Sequence, residues 1–168
     1  EKLAANDLQA RFRMAVMNFD EKEVAELITD PHTIIALSDA GAHASQLCDA
    51  CYSTHLLGHW VRERKTFTVE QAVHQLTQRP AEMFGITDRG VLAEGRPADV
   101  VVFDPSTVGP GPLKRVYDLP AGADRLVSEA SGIDAVIVNG RLIRRNGQDA
   151  VAANDRLPGR VLRHGRAA

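Results

Sequence analysis

The stretch Thr33-Ile34-Ile35-Ala36-Leu37-Ser38-Asp39-Ala40-Gly41-Ala42-His43 empties an unbroken apolar run into a carboxylate, small residues and an imidazole. Because it lacks polar alternation, the run predicts a strand over residues 33–38 that is buried on both faces, as in parallel sheets and barrels. Asp39 then stands at the strand's C-terminal end, where parallel α/β folds place ligands and chemistry. An ionisable group in that position is a candidate for function. The bland alternative is that Asp39 only caps the turn that follows.

With 168 residues and 44% hydrophobic content, the chain can build one ordinary globular domain or two small ones. No stretch approaches the roughly 18 consecutive apolar residues of a membrane span, and no leader-like segment opens the sequence. A cytoplasmic protein without a membrane partner is expected. Two cysteines, Cys48 and Cys51, cannot supply a dense disulfide framework, so the fold must rest on its core. The net charge of −2 hides an asymmetry: residues 1–140 carry 13 basic and 20 acidic groups, whereas 141–168 carry seven Arg and two Asp. The basic end could touch nucleic acid, but no aromatics interleave with it, and it reads as a solvated tail. Residues 1–16 have no initiator Met and no clear start signal, which suggests a chain cut from something longer.

Along the chain, Asp20 precedes Glu21-Lys22-Glu23 and the apolar positions Val24, Leu27 and Ile28, predicting a capped helix that ends before Pro31. A helix over residues 52–64 carries an apolar stripe of Leu56, Leu57, Trp60 and Val61. Thr68-Val69-Glu70-Gln71 is a second capping box, and its helix gathers Val69, Ala72, Val73 and Leu76 on one face. Pro80 fits the first turn of another short helix, over residues 81–84, with Gly85 as its cap. After Gly85 the period becomes strand-like, at residues 90–92, 98–103, 135–138 and 141–143. Asn139-Gly140 between two apolar runs predicts a type I′ hairpin, and Asn146-Gly147 closes that region into an extended tail. Residues 105–123, rich in Pro and Gly, read as an irregular surface excursion.

Taken in order, Ser38-Asp39-Ala-Gly-Ala-His43, Leu57-Gly-His-Trp-Val-Arg62, Glu70 to Val73, Leu76 to Ala81, Asp88-Arg-Gly90, Glu94-Gly95, Ala98-Asp-Val100, Val138-Asn-Gly-Arg141 and Pro158-Gly-Arg160 form a specific series. Over nearly the whole chain this series resembles the C-terminal portion of the amidohydrolase superfamily, in its N-acyl-D-amino-acid deacylase (D-aminoacylase) branch. The resemblance implies an α/β fold: residues 1–87 would be the last strand or strands and closing helices of a metal-dependent (β/α)8 barrel. Residues 88–168 would be a β-sandwich segment with an extended tail. It also implies a zinc cofactor that activates water, held mainly by residues upstream of this chain, with none of the metal ligands here. Asp39 matches the family's proton-carrying catalytic carboxylate. The substrate implied is a small N-acyl amino acid or related amide, the chain alone being incomplete and inactive. Alternatives are a cyclic-amide hydrolase of the same superfamily, or a non-catalytic interaction module that has lost the metal cage.

His43 could line the pocket and orient Asp39 or the substrate, or hydrogen-bond within its own loop; it is taken as the substrate-binding candidate. Cys48-x-x-Cys51, near His43 and His55, has the spacing of half a zinc site but lacks a second knuckle. His55 and His59 are four apart on one helical face, without a third ligand. A segment with one or two barrel strands would also leave helix faces such as Leu56, Leu57, Trp60 and Val61 uncovered and prone to self-association, so a homo-oligomer is compatible with the sequence.

Overall fold

The structure, a computed structural model, describes residues 4–6, 17–37, 40–163 and 166–167. The chain separates into two compact units, residues 1–33 and 34–168. In the first, helix α1 (Glu21–Thr29) begins where expected, because Asp20 accepts from Lys22 N at 2.9 Å and Glu23 N at 3.3 Å through its Oδ1. Thr33 closes the unit by donating its hydroxyl to Leu27 O at 2.6 Å.

The second unit corrects the first strand expectation. Residues 33–37 run irregularly, Leu37 is 46% exposed, and the extended segment is instead β1 (Ala40–His43). An apolar run becomes a buried strand only where neighbouring backbone satisfies its N–H and C=O groups on both edges. Among the described residues no ladder reaches 33–37. Ser38 and Asp39 lie outside the described residues.

Helix α2 (Tyr52–His55) continues directly into a π-helical segment (Leu56–Glu63), and α3 (Val69–Leu76) and α4 (Gln78–Met83) follow. Thr68 forms the full capping box, its Oγ1 accepting from Gln71 N while Gln71 Oε1 accepts from Thr68 N. At the end of α4, Gly85 N donates to Glu82 O and Ile86 N to Ala81 O, the paired bonds of a Schellman stop.

These helices build the core, and here a second expectation fails. Leu56, Leu57 and Trp60 are not left uncovered; with Phe67, Ala72, Ala81 and Val108 they are the buried apolar residues among those described. Burial of such a side chain contributes about 1.5–3 kcal/mol. The cover comes from α3 and from the turn before β3 (Gly109–Pro110). That approach depends on Gly58, where a Cβ would lie 2.8 Å from Val108 O. Arg62 fixes the same contact by donating Nη1 to Val108 O.

The rest of the unit is antiparallel. Strand β2 (Val100–Phe103) pairs with β7 (Ile133–Val138), β7 with β8 (Arg141–Arg145), and β8 with β9 (Gln148–Asp149). Asn139 and Gly140, at φ 47° and 79°, make the left-handed turn expected between β7 and β8. Asn146 and Gly147, at 48° and 77°, repeat it, so the second Asn-Gly adds a strand rather than closing into a tail. Residues 90–92 form no strand. The 105–123 excursion is only partly irregular: β3 pairs with β6 (Ala130–Ser131), and β4 (Lys114–Val116) with β5 (Arg125–Val127). Strands of two or three residues are too short for a period of two to show in sequence.

Candidate functional site

Of the expected site residues, His43 is described and Asp39 is not. His43 ends β1 with its side chain exposed and its backbone in the left-handed region, φ 50°. Its carbonyl accepts from Gln46 N at 2.7 Å and Leu47 N at 3.0 Å, which folds residues 43–47 into a turn. The next two carbonyls are held from the β4–β5 hairpin. Ala44 O accepts from Leu126 N at 2.8 Å, and Ser45 O accepts from Arg115 Nη1 at 3.0 Å. That guanidinium also pairs with Asp124.

Cys48 and Cys51 follow in the same loop, both reduced and half-buried. Cys51 Sγ lies 3.6 Å from Cys48 O, and burial, then the neighbouring Cys48, push the Cys51 thiol up, away from the reactive thiolate. His55 and His59 stack with centroids 4.9 Å apart and planes at 15°. Stacked rings present faces to each other rather than nitrogens to a shared point. His59 Nδ1 instead meets Glu63 Oε2 at 2.8 Å, and this hydrogen bond holds the Glu63 carboxyl below its usual range. Among the described residues no three His, Cys, Asp or Glu side chains converge as a metal site. These residues therefore do not fit a zinc cage.

Most later motifs of the series meet at one end of the β2-β7-β8 sheet. Arg89 donates Nη1 to Asp99 Oδ2 at 2.5 Å and Nε to Asp88 Oδ1 at 3.2 Å, and the two carboxylates, Asp88 first, raise its pKa further. Asp99 Oδ1 accepts from Asn139 N at 2.7 Å, and Asn139 Nδ2 donates to Pro158 O at 2.6 Å. Each group here has a structural partner, so the cluster ties the β7–β8 turn to its surroundings. A cavity of about 540 Å³ lies elsewhere, between Ser53 and Thr54 of α2 and the sheet residues Val101, Asp134 and Arg144; His43 does not line it.

Sequence reasoning missed Arg115 and Asp124, which lie far from the turn in sequence, within and just after the segment read as irregular. The one available signal was a charged pair flanking Pro120, one member in β4 and the other just before β5, strands too short to recognise.

The amidohydrolase family pattern matches residues 4–144. The chain belongs to the amidohydrolase family. Among the curated proteins it is similar to are two N-acyl-D-amino-acid deacylases and a D-aminoacylase. It is 41% identical to N-acyl-D-glutamate deacylase of Alcaligenes xylosoxydans xylosoxydans over 110 residues, 66% of this chain and 20% of that protein. It is 45% identical to dihydroorotase of Lactobacillus johnsonii over 56 residues, 33% of this chain and 13% of that one. Among solved structures, N-acyl-D-glutamate deacylase from Bordetella bronchiseptica, in complex with zinc and a phosphonate inhibitor, is 40% identical. That match covers 56% of this chain and 18% of the other, with a TM-score of 0.44. The chain thus spans about a fifth of the length of the curated deacylase it matches. Among the described residues, no helix is long and apolar enough to cross a membrane.

Proposed function

We propose that the chain is part of an enzyme that hydrolyses a linear N-acyl-D-amino acid, releasing a carboxylate and the free amino acid. Residues 1–87 would then belong to the end of a (β/α)8 barrel and 88–168 to a β-sandwich segment. The observation that carries this reading is the family match over residues 4–144, which spans the Ser38-Asp39-Ala-Gly-Ala-His43 motif. Asp39 takes the proton from the attacking water as its oxygen bonds to the amide carbon, and passes it to the amine nitrogen as the C–N bond breaks. His43, with its side chain exposed at the end of β1, contacts the substrate. The zinc that the resemblance implies would be held mainly by residues outside this chain, and the 168 residues alone are expected to be inactive.

A second reading, a cyclic-amide hydrolase, draws on the shorter dihydroorotase match. A substrate panel on the intact enzyme separates the two. Amine release from linear N-acyl amino acids, with cyclic amides left closed, is the expected outcome. Opening of cyclic amides alone would put the second reading in its place.

A further inference from the structure

Among the described residues, the turn that carries His43 is held by its own hydrogen bonds and by a hairpin about 70 residues further along the chain. Its first carbonyl, His43 O, is used internally, and the two that follow are met from β4 and β5: Ala44 O by the Leu126 amide and Ser45 O by Arg115 Nη1. The same Arg115 nitrogen pairs with Asp124, at the foot of β5, so one guanidinium nitrogen joins the hairpin's own ion pair to the loop. Arg115 and Asp124 side chains are about three-quarters covered, at 25% and 22% exposure, which shields the pair from the screening that weakens open surface ion pairs. Arg125, next to Leu126, the β5 pairing partner of Arg115, is engaged differently, by both oxygens of Asp118. The hairpin therefore has a separate ion pair for its own closure, and the contact to Ser45 is additional to it.

We infer that Arg115 is a positioning residue for substrate: through Ser45 O, and with the Leu126 amide beside it, Arg115 fixes the turn that presents the His43 imidazole. This inference rests on the reading of His43 as a substrate contact. A binding contact fixed before substrate arrives need not be ordered on binding, so a held turn supports affinity. A loosened turn weakens what His43 does for binding while leaving the proton transfer at Asp39 in place. The effect therefore falls on KM rather than kcat.

The test is made on the intact enzyme with an N-acyl-D-amino acid as substrate. Arg115→Met keeps the apolar stem and removes the donors; KM is expected to rise about tenfold with kcat changed less than about threefold. Arg115→Lys retains a cation with three donors, able to serve Asp124 and Ser45 O together, and is expected to bring KM back to within about threefold of the parent. Amide hydrogen exchange at Leu126 gives a readout independent of turnover, and it is expected to quicken in Arg115→Met as the Ala44 O bond loosens. If Arg115→Met fails to fold, Asp124→Asn, which removes the ion pair and leaves the guanidinium, is expected to raise KM by a smaller factor. An unchanged KM in folded Arg115→Met or in Asp124→Asn, or a loss of kcat and KM that Lys does not rescue, overturns the positioning role. An unchanged Leu126 exchange rate overturns the tether itself. Failure of the underlying reading is seen separately: if His43→Ala leaves KM unchanged while Leu126 exchange responds to Arg115→Met, the tether stands and the role of His43 does not.

Discussion

Replacing Asp39 by Asn in the intact enzyme is expected to lower kcat by about 10²-fold or more and to leave KM within about twofold of the parent. The substitution is nearly isosteric, so the amide occupies the space of the carboxylate and can still accept a hydrogen bond. It cannot take a proton from water at neutral pH. On the proposed mechanism the chemical step then loses its general base on the way in and its general acid on the way out, a contribution of about 10²- to 10⁴-fold in enzymes at large. Ground-state contacts with the acyl amino acid are retained, which is why the loss appears in kcat. Steady-state kinetics of parent and variant decide the matter. Near-parental turnover would make Asp39 the turn cap that its sequence position also allows.

Gly132→Ala should destabilise the fold by about 3 kcal/mol or more. At φ 67° any residue with a Cβ is strained, and here the Cβ would stand 2.4 Å from Val108 N, 2.6 Å from Val108 Cα and 2.7 Å from Thr107 C. Those are backbone atoms that cannot rotate away. Asp104 N donates to Gly132 O at 2.9 Å, while Thr107 N and Val108 N both donate to Asp104 O. The Asp104 carboxylate binds Ser106 and Thr107 as well, and those hydrogen bonds hold its pKa below the usual range. Val108 is 1% exposed and lies against Gly58, so a shift there would be felt by the π-helical segment. Urea denaturation of parent and variant measures the effect. A difference under about 0.5 kcal/mol would mean that the 104–108 turn yields to the methyl group and is not fixed as argued.

Features set by local chemistry were legible in the sequence. Asp20 and the Thr68–Gln71 pair cap helices where they should, because a cap is decided within four residues. Asn139-Gly140 turns a hairpin because two left-handed residues in succession admit few other outcomes. Features set by distant partners were not. Residues 33–37 have the composition of a buried strand, but a strand is made by its neighbours, and the run alone does not supply them. The Leu56-Leu57-Trp60 stripe was recognised as apolar, yet its cover, the turn at Val108, comes from a segment whose composition announced only a loop. The candidate site divides in the same way. His43 was picked out by its place in a motif, whereas Arg115, which meets the turn from 70 residues away, carries no local mark.

The most direct measurement is the release of free amino acid from matched panels of N-acyl-D- and N-acyl-L-amino acids by the intact enzyme, followed by chiral separation of the product. The account predicts a free D-amino acid at a rate well above the enzyme-free control, and little or no product from the L-enantiomers. An enzyme that releases no amino acid from either enantiomer, or from any other linear N-acyl amino acid, would contradict it.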